Sequence, residues 1–337
     1  MTLHPIDVSV LVPVRNEAAS IRDAVATMRG QRFPGRFELL FMDGRSDDGT
    51  RAILDDLARV DDRIVVLDNP GRGIPQALNL GLRHARGRFV ARMDAHALYP
   101  PDYLATGVRR LERGDAEYVT GLQLPHGVDA WSRRISLALD SPLGVGGAGF
   151  RRRATEETET DAGFTGLWRR EMLEGLGGWR EDWVVNEDGE LAARLRKAGG
   201  RIVCVPGMAA LYVPRRSLGA LVRQYWRYGQ YRAKTSRWHP ESMRRSHLLP
   251  PAITAVAAGA LVPLGVTRPF RYALVAYGSI LAVEGARLGV RSRAGPGAAW
   301  LPVVFGAMHL AWGAGFLAGS VRFGVPVAAL RSTLQPR

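Results

Sequence analysis

Four short apolar runs, each ending in a polar cluster and each followed by a stretch of helical spacing, constrain the fold most. The runs are "DVSVLVPV" (residues 7–14), "FELLFMD" (37–43), "RIVVLDN" (63–69) and "GRFVARMDA" (87–95). Continuous β-branched and apolar runs of this length read as buried parallel strands. Between them, "EAASIRDAVATMRGQ" carries Ile21, Val25 and Met28 on one helical face. "DGTRAILDDLARV" and "IPQALNLGLRHAR" follow the second and third runs as helices. Alternation of strand and helix predicts an α/β fold with a mostly parallel central sheet. In such sheets ligands bind beyond the carboxyl ends of the strands. Asp43 and Asp94 fall there.

Further along, "AEYVTGLQL" reads as a strand, "RREMLEGL" and "NEDGELAARLRKAGG" as helices, and "RIVCVP" as a strand. The Gly/Arg-rich "GVGGAGFRRRATEETETDAGFTG" reads as a loop. Its Arg151, Arg152 and Arg153 are either contacts for acceptor phosphates or a solvated charge run. Cys204 excludes an intramolecular disulfide, because it is the one cysteine, and it reads as a small core residue. The N-terminal run is too short and too closely followed by charge for a signal peptide. The front of the chain is therefore expected in the cytoplasm.

Charge divides the 337-residue chain. Residues 1–205 hold 29 Lys and Arg against 30 Asp and Glu, whereas residues 206–337 hold 17 against 2. The net charge of +14 thus lies in the last third. There "SLGALVRQYWRYGQYRAKTSRW" reads as a basic amphipathic helix of the kind found at membrane interfaces. The apolar runs at 248–267 and 294–321, with "YALVAYGSILAV" between them, predict two or three membrane helices. A basic tail interleaved with such runs points to a membrane surface and away from nucleic acid. The alternative for these runs is a buried, soluble helical domain.

The polar clusters hold the chemistry. "PVRNE" is followed by "DGRSDDGT", "ARMDAH" and "NEDGEL" in that order. Taken singly, each has an ordinary reading: Asp48 or Thr50 as a helix cap, Asp188 as a charge at a helix N-terminus. Together, over residues 6–235, they resemble the family 2 glycosyltransferases, whose catalytic domain has the nucleotide-sugar-binding GT-A fold. Within that family, "GVGGAGF", "GLWRREMLEGLGGW", "NEDGEL" and the hydrophobic tail are most similar to the membrane-associated, succinoglycan-biosynthesis ExoA-like type.

The resemblance implies a catalytic domain over residues 1–235, with its interfacial helix near 215–238, and a helical membrane region over 246–330. It implies that Pro13, Arg15 and Glu17 line the nucleobase pocket, that Asp43 contacts the base, usually uracil, and that Ser46 lies nearby. Asp94 would bridge metal and diphosphate. Asp188 would be the catalytic base with Glu187 beside it. Gly166 and Trp168 would shape the junction of donor and acceptor. Gln224 and Arg227 match a Gln-x-x-Arg-Trp element of processive members, but Tyr228 stands in place of the Trp, which argues against processive polymerisation. The implied activity is inverting, metal-dependent transfer from a UDP-sugar to a lipid-linked or amphiphilic acceptor, in polysaccharide or glycoconjugate biosynthesis, on the cytoplasmic side of the inner membrane.

One motif departs from its pattern. In "DAH", His96 stands where a second acid is expected. Alternation along an extended segment would place Asp94 and His96 on the same side, facing one ion. They are the candidate metal ligands, for Mn²⁺ or Mg²⁺, with imidazole better suited to the former. The alternative for His96 is a hydrogen bond to the diphosphate or to a neighbouring loop. The alternative for the whole chain is a catalytically silent membrane scaffold that binds nucleotide-sugar or glycan.

Overall fold

A computed structural model describes residues 5–146, 155–261, 267–293 and 295–335. Arg151, Arg152 and Arg153 lie outside the described residues. The chain divides into two compact units, residues 1–124 with 148–212, and residues 125–147 with 213–337.

The first unit opens with three strand–helix pairs: β1 Val8–Val14, α1 Ile21–Arg29, β2 Phe37–Asp43, α2 Thr50–Val60, β3 Ile64–Asp68 and α3 Ile74–His84. Then come β4 Phe89–Arg92, β5 Ala97–Leu98, α4 Tyr103–Glu112 and β6 Tyr118–Pro125. The second unit takes α5 Ala130–Leu139 and α6 Pro142–Val145 from the chain at this point. Back in the first unit are β7 Thr158–Glu159, β8 Gly166–Arg169, α7 Arg170–Gly175, α8 Glu187–Lys197 and β9 Ile202–Tyr212. The remaining helices, α9 Leu218–Trp238, α10 Leu249–Ala260, α11 Arg268–Ser292, α12 Leu301–Phe323 and α13 Val327–Leu334, belong to the second unit.

The strands form one mixed sheet in the order β3-β2-β1-β4-β8-β6-β9-β5, with β7 paired to β9. β3, β2, β1 and β4 are parallel; β8 then runs antiparallel to both β4 and β6. The apolar runs explain the parallel half. Val8, Val10 and Val12 face one core with Leu39 and Phe41, while Leu11, Leu40 and Met42 face another. Burial on both faces is what helices packed above and below a parallel sheet require. α1 contributes Ile21, Val25 and Met28 to the first core, the face expected from spacing.

Two differences have a tertiary cause. The strand read as ending at Pro206 continues to Tyr212, because Leu211 and Tyr212 find partners in Leu98 and Ala97 on β5. The boundary expected between 235 and 246 lies at 212–213, because α9 packs with the C-terminal helices; α5 and α6 join them too. Two C-terminal stretches are long and apolar enough to cross a membrane, Arg268–Ser292 and Gly295–Phe323. In the 248–267 run, helix α10 covers twelve residues, and 262–266 lie outside the described residues.

Candidate active site

Parallel pairing brings the carboxyl ends of β1, β2 and β4 to one edge of the sheet. Gly166 pairs with Arg92, so the start of β8 reaches the same edge. The loops after β1 and β2 are tied together there. The Ser46 hydroxyl donates to Asp43 Oδ1 at 2.6 Å and accepts the Asn16 amide at 3.0 Å. Asn16 and Asp47 exchange a pair of hydrogen bonds at 2.9 and 3.0 Å. The Glu17 amide donates to Thr50 Oγ1 at 2.8 Å, and the Ala18 amide to Asp48 Oδ2 at 3.0 Å. Asp48 and Thr50 thus join the loops as well as standing at the start of α2. Asn16 holds a left-handed backbone, φ 56°, which asparagine tolerates better than most residues. Pro13 is half-buried near the end of β1, and Arg15 is exposed just past it.

Asp43, the last residue of β2, is 4% exposed, and its carboxylate also meets the Ser46 amide at 3.3 Å. Among the buried residues at this edge it is an acceptor held in place by its own loop. Such a group can accept from an N–H or a hydroxyl of a ligand.

Past β4 the structure departs from expectation. Residues 94–97 form a turn, closed by the Ala97 amide donating to the Asp94 carbonyl at 3.2 Å, so the alternation argument for "DAH" does not apply. The Asp94 amide donates to the Tyr99 hydroxyl at 2.6 Å, which fixes the start of the turn. Burial first, and then the Asp94 charge, push the Tyr99 phenol well above its usual range, so it stays neutral. His96 turns toward the loop after β1, with Nδ1 3.1 Å from Glu17 Oε1. Burial opposes ionisation of Glu17, but hydrogen bonds from His96 and Ser20 outweigh it and hold the carboxyl below its ordinary pKa. An ionised carboxylate only accepts, so Nδ1 carries the proton of that contact. In a neutral ring Nε2 then carries the lone pair, the arrangement by which a carboxylate orients a metal-ligating histidine.

Arg92 is the residue that sequence reasoning passed over. It closes β4, its side chain is 6% exposed, and it holds two acids from distant motifs. Its Nε donates to Asp94 Oδ1 and its Nη1 to Glu187 Oε1, both at 3.0 Å. Burial acts to lower the Arg92 pKa, but the charges of Asp94, Glu187 and Asp188 reverse this and keep it protonated. Glu187 shows the other side of the imbalance. Burial pushes its carboxyl up, Arg92 offsets part of that, and Asp188 adds to it. Three carboxylates thus surround one guanidinium. The signal was present in "FVARMD", because arginine is almost never buried without an acid partner.

Asp188 is the second residue of α8, half-buried, and its Oδ1 accepts the Gly189 amide at 2.7 Å. Asn186 before it has φ 63°, which turns the chain sharply into the helix. The positive end of α8 favours the ionised form of its first-turn acids.

Gly166 and Trp168 answer to packing. A Cβ on Gly166 would fall 2.2 Å from the Val119 carbonyl oxygen, so only glycine lets β8 lie on β6 here. Trp168 is 2% exposed, stacked on Tyr118 at 4.2 Å and edge-on to Trp179 at 5.9 Å. The structure sets it in the core beneath the sheet edge. Gln224 and Arg227 belong to the second unit, on α9, where the Gln224 amide donates to the Tyr228 hydroxyl at 2.9 Å and Arg227 is exposed.

The donor set can be tested against a divalent cation. Among the described residues no three His, Cys, Asp or Glu side chains form a ready cage. Mg²⁺ and Mn²⁺ bound with a nucleotide need less, one or two protein ligands completed by phosphate oxygens and water. Asp94, with Arg92 on one oxygen, and His96, with Glu17 at Nδ1, carry the donor types that such a site uses. The acid excess around Arg92 provides the electrostatic reason for a cation.

The sequence profile of glycosyl transferase family 2 matches residues 9–177. The chain is 35% identical over 318 residues to the succinoglycan biosynthesis protein ExoA of Rhizobium meliloti, covering 91% of this chain and 93% of that protein. It is 24% identical over 231 residues to a dolichyl N-acetyl-glucosaminyl phosphate diacetamido-dideoxy-glucuronosyltransferase of Methanococcus voltae, covering 66% and 71%. Among solved structures it resembles the mannosyltransferase PcManGT of Pyrobaculum calidifontis, in complex with GDP-Man and Mn²⁺. The TM-score is 0.62 at 25% identity, over 96% of this chain and 88% of that one. With a GT-A-like fold and these relatives, the chain belongs to glycosyl transferase family 2, as a glycosyltransferase of the ExoA-like type.

Proposed function

We propose that the first unit transfers a sugar, with inversion, from a nucleoside diphosphate sugar to a lipid-linked or amphiphilic acceptor. The observation that carries this reading is the buried Arg92, which ties Asp94 of the strand-end motif to Glu187 beside Asp188. It joins the two places where a leaving diphosphate and an attacking hydroxyl must be handled.

The contacts support the roles that the family resemblance implies. Asp43, braced by Ser46, accepts from the base, uracil in the first instance, with Pro13, Arg15 and Glu17 around it. Asp94 and His96 would hold the cation, which neutralises charge on the departing diphosphate. Glu17 orients His96. Arg92 fixes Asp94 and keeps Glu187 from drifting. Asp188 accepts the acceptor proton as the acceptor oxygen attacks the anomeric carbon and the bond to diphosphate breaks. A single displacement of this kind inverts the anomeric centre. Trp168 and Gly166 act from beneath, by fixing the strand that bears the junction. Gln224 and Arg227 are carried over from the family pattern as donor-side contacts. The basic, apolar second unit associates with the membrane on the cytoplasmic side, where a lipid-linked acceptor would be met.

The test has two parts. A panel of nucleotide sugars, including UDP-sugars and, because the archaeal neighbour was solved with it, GDP-mannose, is screened by thermal shift with and without Mn²⁺. The donor that binds the folded state raises Tm by mass action. With that donor, nucleotide release should require Mn²⁺ or Mg²⁺ and should fall by about 10²-fold or more in Asp188→Asn. Retained turnover in that variant would remove Asp188 from the role of base. Tight donor binding with no transfer or hydrolysis across a panel of acceptors would favour the silent scaffold instead.

A further inference from the structure

We infer that α12, the most apolar long helix of the chain, does not cross the bilayer but lies with α9 along one face of it, in the headgroup region of a single leaflet. The inference rests on the reading of the second unit as membrane-associated.

By length and composition α12 qualifies as a span. It has 23 residues, about 35 Å at ~1.5 Å per residue, and no Asp, Glu, Lys or Arg occurs from 295 to 321. What it packs against argues otherwise. α12 and α9 run side by side in the same direction with almost no gap. A Cβ on Gly315 would fall 2.1 Å from the Trp226 carbonyl oxygen, and one on Gly229 would fall 2.0 Å from that of Trp312. Farther along, Gly319 meets Gln230 in the same way at 2.6 Å, and the Tyr231 and Phe323 rings lie 5.7 Å apart. Contact advances from Trp226 through Gln230 to Tyr231 on one helix as it advances from Gly315 through Gly319 to Phe323 on the other. Helices this close move as one body.

The midpoint of α12 is residue 312. If α12 crossed the membrane, the hydrocarbon centre would therefore hold the Trp226–Gly229 turn of α9, since Gly229 lies against Trp312. Arg227 lies within that turn and Arg223 one turn before it, and both are exposed. Charged side chains at that depth are strongly disfavoured and occur facing protein or water, not lipid. Laid flat, the pair removes the conflict. α12 supplies an apolar strip, with Leu317 and Val321 exposed on it. On α9, exposed Arg223 and Arg237 reach headgroup phosphates, and exposed Trp226 and Trp238 suit the interface. Residues 215–245 hold nine basic residues against one acid, which matches an anionic leaflet. Two helices together make the amphipathic surface that one helix makes in simpler interfacial anchors.

The two ends of α12 decide the matter, whatever α10 and α11 do. Ala299→Cys before α12 and Ser332→Cys after it, with Arg215→Cys before α9 as reference, are made singly in a Cys204→Ala chain. All three positions are exposed. Each full-length variant is expressed in bacterial cells and treated with a membrane-impermeant maleimide, in right-side-out spheroplasts and in inverted vesicles. All three cysteines should react in the same one of the two preparations. Reaction of Ala299→Cys and Ser332→Cys in opposite preparations would overturn the proposal while leaving membrane association intact. Recovery of the unmodified protein in the soluble fraction, free of vesicles, would overturn the underlying reading as well.

Discussion

His96 changes meaning between the sequence and the folded chain. As a letter it is a missing aspartate. In the structure it is an imidazole aimed by an ionised Glu17. If His96 holds the cation, His96→Asp should keep transfer and move metal preference toward Mg²⁺, since carboxylate oxygen suits the harder ion. His96→Ala should raise the Mn²⁺ concentration for half-activity by about tenfold or more, in line with losses seen when metal-site partners are removed. Metal titrations of nucleotide release measure both. A His96→Ala chain that behaves as the parent with every metal would remove His96 from the role of metal ligand. The positions of Asp43, Ser46, Asp94 and Asp188 at strand ends and a helix start could be read from the sequence, because these are local features. Residue identity alone did not reveal Arg92 or the Glu17–His96 contact, because each joins positions far apart in sequence, 95 residues in one case and 79 in the other.

At the level of elements, Asp61 shows how the parallel half is held. It follows α2 and precedes β3, its side chain is 5% exposed, and it accepts from Arg29 Nε at 2.7 Å and Arg63 Nη2 at 2.8 Å. It therefore links the end of α1 to the turn before β3. Hydrogen bonds from Arg63, against the opposing effect of burial and with Arg29 in support, hold its carboxyl well below the usual range. A carboxyl whose folded pKa lies below its unfolded value stabilises the fold above the unfolded value, about 3.9. That contribution is lost as pH falls through the folded value. Asp61→Asn should thus cost about 1–3 kcal/mol at pH 7, and the gap to the parent should narrow as pH drops from about 5 toward 2. Unfolding followed in parallel for both chains reads this directly. The strands and helices of this half were legible because their apolar periodicity is local. The length of β9 was not, since residues beyond Pro206 become strand only through pairing with β5.

Over the whole molecule, the division of charge in the sequence can be set beside the two compact units. The sequence break near 206 lies close to the observed 212–213. The inclusion of residues 125–147 in the second unit leaves no compositional trace, because α5 is an ordinary amphipathic helix and partners of this segment lie far along the chain, beyond residue 280. Trp131 meets Trp300, and Ser141 donates to Glu284 at 2.6 Å. The basic excess has a measurable consequence. The full chain should bind vesicles containing about a third anionic phospholipid more tightly than purely zwitterionic ones, and the difference should shrink as NaCl rises from about 0.1 to 0.5 M. Flotation at the two salt concentrations checks it, and equal binding to both vesicle types would leave the positive charge without a role at the membrane.

The insertion of α5 and α6 also governs how the enzyme can be shortened. Ending the chain after Tyr212, to obtain the catalytic half in water, keeps residues 125–147 but discards the helices they rest on. Trp131 would then lose Trp300, and α5 would lose α12, against which it packs, and offer a sticky face to other molecules. A well-behaved fragment therefore needs two edits: a stop after Tyr212, and a short polar bridge in place of residues 126–146.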